Sequence, residues 1–116
     1  MAKYERTLTG DFNEFLSWLH NDIIRGSISA SYEDGSDITM GQVKVAVRVY
    51  ERYSMLGKNR ISLNLTLAGD GKNLYVTAIT SGGSQAVFFK INTFGENAFL
   101  QTCIDSVENY ISRRSR

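Results

Sequence analysis

Apolar and polar positions alternate almost without a break along QVKVAVRVYERY, residues 42–53. Val43, Val45, Val47 and Val49 fall on one parity, and Lys44, Ala46, Arg48 and Tyr50 on the other. Period two is the mark of a strand with one buried face. It predicts that the valines face the core and that the second set looks outward. RISLNLTLAG (60–69) alternates as cleanly, with Ile61, Leu63, Leu65 and Leu67 set against Ser62, Asn64, Thr66 and Ala68. NLYVTAIT (73–80) sets Leu74, Val76 and Ala78 against Tyr75, Thr77 and Ile79. KYERTL (3–8), SISASY (27–32) and AVFFKI (86–91) are shorter strand candidates, and EDGSDITMGQ (33–42) reads as a polar loop.

Two stretches change to helical period. After Asp11, which with Glu14 makes a variant capping box, Phe12, Phe15, Leu16, Leu19 and Ile23 recur on one face, and Gly26 closes the run. This predicts a helix over 12–25. Thr93 with Glu96 forms a second capping box, followed by the stripe Leu100, Cys103, Ile104, Val107, Tyr110 and Ile111, with Arg113, Arg114 and Arg116 at the C-terminal end. The strands are joined by short glycine turns, at Gly57, at Asp70-Gly71 (a pair suited to a type I′ hairpin) and at SGGSQ (81–85). Connections that short suit only antiparallel neighbours. The predicted fold is an α+β two-layer sandwich, β-α-β(4-5)-α, with a long C-terminal helix packed on an antiparallel sheet. Nothing marks a repeat, a linker or a boundary, so residues 1–116 are read as a single domain.

This element order resembles the helix-grip and TATA-binding-like folds, in which a curved antiparallel sheet wraps a long C-terminal helix. The whole chain is also similar to small uncharacterised bacterial single-domain proteins of this length and order. The resemblance carries no catalytic motif. In helix-grip families the space between sheet and helix often holds an apolar ligand, which makes such a ligand one expectation for this chain.

Composition narrows the classes. Of 116 residues, 42% are hydrophobic and 22% charged, enough apolar material for a core and too little charge for a disordered chain. A net charge of +1 gives no bulk argument for nucleic acid or membrane. The N-terminal stretch MAKYERTLTGDF lacks the apolar run of a signal peptide, and no segment reaches the length of a membrane helix. Cys103 is the only cysteine, so no intrachain disulfide can form. The expectation is a soluble, cytoplasmic protein. Charge is unevenly spread: residues 1–40 carry a net −4 and residues 41–90 a net +5.

The candidates for chemistry are few. His20, the single histidine, flanks the first apolar stripe, and no nucleophile or orienting carboxylate stands near it in sequence. Cys103 lies within the second stripe, where a thiol behaves as a small hydrophobe. EDGSD (33–37) gathers three carboxylates at spacings that do not fit a calcium loop, and GDGKN (69–73) lacks the phosphate-loop pattern. The expectation is no catalysis, no cofactor and no metal. Two binding readings remain. The rings of Phe12, Phe15, Phe94, Phe99 and Tyr110 line or fill the space under the last helix. The outward set Arg48, Tyr50, Tyr75 and Ile79 offers a face for self-association, as a homodimer or larger. A sheet face with cations and tyrosines also follows the logic of single-strand nucleic-acid platforms, but two cations and two tyrosines are weak support for that.

Overall fold

The computed structural model describes residues 1–54, 59–82 and 89–114, the last segment from 95 onward with its side chains. The elements are β1 (Ala2–Thr9), α1 (Phe12–Arg25), β2 (Ser31–Met40), β3 (Val43–Ser54), β4 (Asn59–Asp70), β5 (Asn73–Gly82) and α2 (Phe89–Arg114). The five strands form one sheet in the order β1-β5-β4-β3-β2, antiparallel throughout. Strands β2 to β5 make a meander, and β1 adds beside β5. Met40 pairs with Val43 and Asp70 with Asn73, so the loops are the two-residue Gly41-Gln42 and Gly71-Lys72. Gly41 and Gly71 open these turns at φ 61° and 60°, a region glycine enters without a side-chain clash. Asp70 is thus the last residue of its strand and not part of the turn. The expected turns at Gly57 and at 83–85 lie outside the described residues.

Because β1 and β2 lie at opposite edges, the chain between them must cross four strand spacings, about 19 Å. The 14 residues of α1 span about 21 Å and make that crossing. Both helices lie on one face. α2, 26 residues and about 39 Å long, packs on β5, β1 and β4, and α1 packs on α2 and β4. The result is a two-layer α+β sandwich with one core. Phe15, Leu19 and Ile23 of α1 and Phe99, Leu100, Cys103, Val107 and Tyr110 of α2 meet Ile61, Leu63, Leu65 and Leu67 of β4 and Leu74, Val76 and Ala78 of β5.

The facing of β3 reverses the expectation from its pattern. Ladder partners share a sheet face. Ala46 pairs with Leu67 and Tyr50 with Leu63, and all four are buried. The set Lys44, Ala46, Arg48 and Tyr50 therefore points toward the helices, and the valines point away. The reason is the footprint of the helix layer, which is centred on β1, β5 and β4. Only the rim of that layer reaches β3, where a tyrosine and a cationic stem cover the edge of the core better than a short valine.

Three local expectations also change. SISASY is not a strand: only Ser31 and Tyr32 belong to β2, Ile28 is fully exposed, and Ala30 N–H closes a turn onto the Ser27 carbonyl. The expected loop after it is instead β2 itself, an edge strand with a bulge between Tyr32 and Asp34. Its ladder to β3 supplies the pairing that its polar side chains do not advertise. Finally, residues 89–91 of AVFFKI are the first residues of α2, while 86–88 lie outside the described residues. Thr93 falls inside that helix, so Thr93 and Glu96 do not cap it. Glu96 is buried and accepts hydrogen bonds from Gly82 N–H at 2.6 Å and from the Met1 amine at 2.5 Å, tying the end of β5 to α2.

Candidate interaction face

The face opposite the helices is built row by row from the register. Val43, Val45, Val47 and Val49 stand beside Asp70, Ala68, Thr66 and Asn64 of β4. These stand beside Asn73, Tyr75, Thr77 and Ile79 of β5, which in turn meet Thr9, Thr7, Glu5 and Lys3 of β1. On the other side of the valines lie Met40, Ile38, Ser36 and Asp34 of β2. Neither helix packs here. The valines are half-buried by their strand neighbours alone, while Ile38 and Met40 are 52% and 71% exposed and Tyr75 and Ile79 each 37%. A continuous apolar centre on a solvent-facing sheet is informative, whereas a single exposed leucine is not.

Several of the charges at the margins of this face are paired within the chain. At one corner Arg60 donates to Glu51 at 2.6 Å and lies 3.5 Å from Glu33. Along β1, Lys3 lies 3.7 Å from Glu5, and the Tyr75 hydroxyl donates to the same Glu5 at 2.5 Å. That bond pushes the Tyr75 phenol above its ordinary pKa. An apolar centre with a neutralised polar rim is the anatomy of a protein contact. Near the Gly41 and Gly71 turns the face dips into a shallow open depression of about 440 Å³. Thr7, Thr9, Val43, Asp70, Asn73 and Tyr75 wall it, and Ala68, whose side chain is a single methyl, forms its floor.

The four residues proposed from sequence as a contact do not share a surface. Tyr75 and Ile79 lie on the open face, but Arg48 and Tyr50 lie on the helix side. Tyr50 is fully buried, its hydroxyl and His20 Nδ1 share a hydrogen bond at 2.9 Å, and its ring packs edge-on to Tyr32. Burial pushes its phenol up to about 12. Arg48 donates to Asp37 and to the Val47 carbonyl, both at 2.9 Å, and to the Ser36 carbonyl at 3.3 Å. Arg52 stacks over the Phe99 ring at 4.7 Å, where desolvation lowers its pKa, and Lys44 lies 5.8 Å from the centre of the Phe12 ring. The cations of β3 thus cap aromatic rings or meet a carboxylate on the helix side. They do not join Tyr75 and Asn64 in one platform for a single strand.

The expected lining of a cavity is packed core. Phe15 and Tyr110 stack with centroids 4.7 Å apart, and Trp18 meets Tyr110 at 5.6 Å. Phe99 is buried, Phe12 is half-buried, and the side chain of Phe94 lies outside the described residues. Tyr110 donates to Glu14 at 2.7 Å and Trp18 Nε1 to the Ser106 carbonyl at 2.9 Å, so the polar ends of these rings are satisfied. Cys103 is buried, and desolvation pushes its thiol up to about 12. The loop carboxylates are engaged locally: Ser31 donates to Glu33, Gly35 N–H to Asp34 and Arg48 to Asp37. Among the described residues no three His, Cys, Asp or Glu side chains gather as a metal-holding group, and no helix is long and apolar enough to cross a membrane.

The open face was missed in the sequence because its apolar row reads as core. β4 and β5 place their leucines on one parity and Ala68, Thr66 and Thr77 on the other, but only the register with β3 shows that the valines share the second side.

Fold and face together define a small α+β domain whose sheet leaves one apolar side uncovered. The chain belongs to a family described as "Family of unknown function (DUF6054)", which it matches over residues 1–111. No curated protein and no solved structure matches it.

Proposed function

We infer that the protein is a non-enzymatic interaction domain that associates with a second copy of itself through the open face of its sheet. The uncovered row Val43, Val45, Val47 and Val49, continued by Ile38 and Met40 at the β2 edge, carries this reading. The dimensions support it. Five strands about 4.8 Å apart and about ten residues long, at about 3.3 Å each, give a face of roughly 800 Å². That is about what each partner buries in a stable interface. Two such faces stack about 10 Å apart with side chains interdigitating, as in a sandwich. A contact between two copies of one face suits a twofold dimer. The half-buried His20 with its partner Tyr50, and the buried Cys103 thiol, act in packing on this reading, not in catalysis. A lone thiol without a disulfide fits a reducing, cytoplasmic setting. Light scattering across a concentration series tests the association. A mass rising to twice the chain's 13.0 kDa supports it, and 13.0 kDa throughout overturns it.

A further inference from the structure

Resting on that reading, we propose the geometry of the dimer: the twofold axis runs parallel to the strands, above β4, and each copy inserts Met40 and Ile38 into the depression of the other. The face is uneven in a way that selects this axis. At the turn end, the two rows read Thr9, Asn73, Asp70, Val43, Met40 and Thr7, Tyr75, Ala68, Val45, Ile38 from β1 to β2. The depression occupies the β1–β4 side of these rows, and the two most exposed apolar side chains of these rows, Met40 and Ile38, stand at the β2 edge. A rotation about an axis along the strands keeps each row over itself but reverses it, laying β2 over β1 of the partner. Met40 and Ile38 then stand above Thr9 and Thr7, beside Asn73, Tyr75 and the low floor at Ala68.

The remaining rows agree. Val47 meets Thr77, Val49 meets Ile79, and Lys3 lies over Asp34 of the other copy, an opposite-charge pair, while Asp70, exposed at the turn end of the axis strand, lies over its own copy where water reaches it. Glu5 falls over Ser36. The other twofold in the plane of the contact, perpendicular to the strands, reverses the ends instead. It lays Ile38 over Asp34, Val43 over Glu51 and Glu5 against its own copy, and leaves the depression facing Asn64. Apolar groups then meet charges along two rows, which is unfavourable.

Thiol cross-linking tests the geometry separately from the association. In the full chain, Thr9→Cys with Met40→Cys is treated with a short bis-maleimide, and Ser31→Cys with Met40→Cys serves as the alternative. All three positions lie on the open face. Within one chain the linker cannot bridge either pair: Thr9 and Met40 are four strand spacings apart, about 19 Å, and Ser31 and Met40 are about 30 Å apart along one strand. Buried Cys103 does not react. The expected result is a covalent dimer from the Thr9/Met40 variant and none from the Ser31/Met40 variant. The reverse, or no covalent dimer from either in a protein that light scattering shows to be dimeric, overturns the geometry and leaves the association standing. A protein that remains at the single-chain mass overturns both.

Discussion

Tyr50 on β3 lies directly opposite Leu63 on β4, and both side chains are fully buried beneath the helices. This pair sets the facing of the whole strand. A one-residue shift in register would turn Tyr50 out and bring the valines under α1 and α2. The bond between Tyr50 and His20 Nδ1 holds the observed choice, because it gives the one polar atom of a buried ring its partner.

Truncations on the two parities should behave differently. Leu65→Ala removes a fully buried side chain and should lower unfolding free energy by about 2–5 kcal/mol. Val47→Asp on the open face should leave the chain folded, since the aspartate remains in reach of water. Urea unfolding at a concentration where the protein is monomeric separates the two. Unfolding of Val47→Asp as severe as that of Leu65→Ala would mean that the valine face is covered.

Tyr50→Phe should destabilise the fold by about 1 kcal/mol through loss of the hydrogen bond to His20. The pH dependence follows from the raised phenol. The folded value of about 12 exceeds the ordinary 10, so this group's contribution is fully present below pH 10 and is lost as pH rises from there through 12. Alkaline unfolding of the wild type should therefore be steeper than that of Tyr50→Phe. Identical alkaline profiles would show that Tyr50 is not buried.

Cys103 should be silent toward thiol reagents in the native protein and react fully once urea unfolds it, because burial holds the thiol protonated to about 12. Fast labelling of native protein would place Cys103 at the surface and break the α2 packing described above.

Glu96→Ala should loosen the junction of β5 and α2. It removes the acceptor of Gly82 N–H, a loss of about 1–3 kcal/mol. Hydrogen exchange should speed up at Gly82 more than in the centre of β4. Unchanged exchange at Gly82 would show that the bond does not hold the junction.

Much of the fold was legible locally. The helix over 12–25 follows from Asp11, whose carboxylate accepts from Glu14 N–H at 2.8 Å, and from the spacing of Phe15, Leu19 and Ile23. The leucine row of β4 identified its buried face because that strand runs under both helices. The facing of β3 was not legible, since Val45 and Tyr50 are both apolar enough for a core and the decision lies with helices distant in sequence. β2 was hidden because an edge strand exposed on both faces need not alternate. The start of α2 was hidden because VFFKI carries the β-branched and aromatic residues of a strand. Half of the sequence-derived contact, Tyr75 and Ile79, lies on the open face, and the error in Arg48 and Tyr50 is the same parity error.

Sedimentation of the wild type beside Val47→Asp, with circular dichroism to confirm that both are folded, decides whether the valine face is where two copies meet. A buried, unpaired charge at the middle of the valine row is incompatible with a dry contact between two sheets. The expected result is a wild type that reaches twice the 13.0 kDa chain mass and a Val47→Asp protein that stays folded at 13.0 kDa. A wild type at 13.0 kDa at every concentration, or a folded Val47→Asp protein as heavy as the wild type, would contradict it.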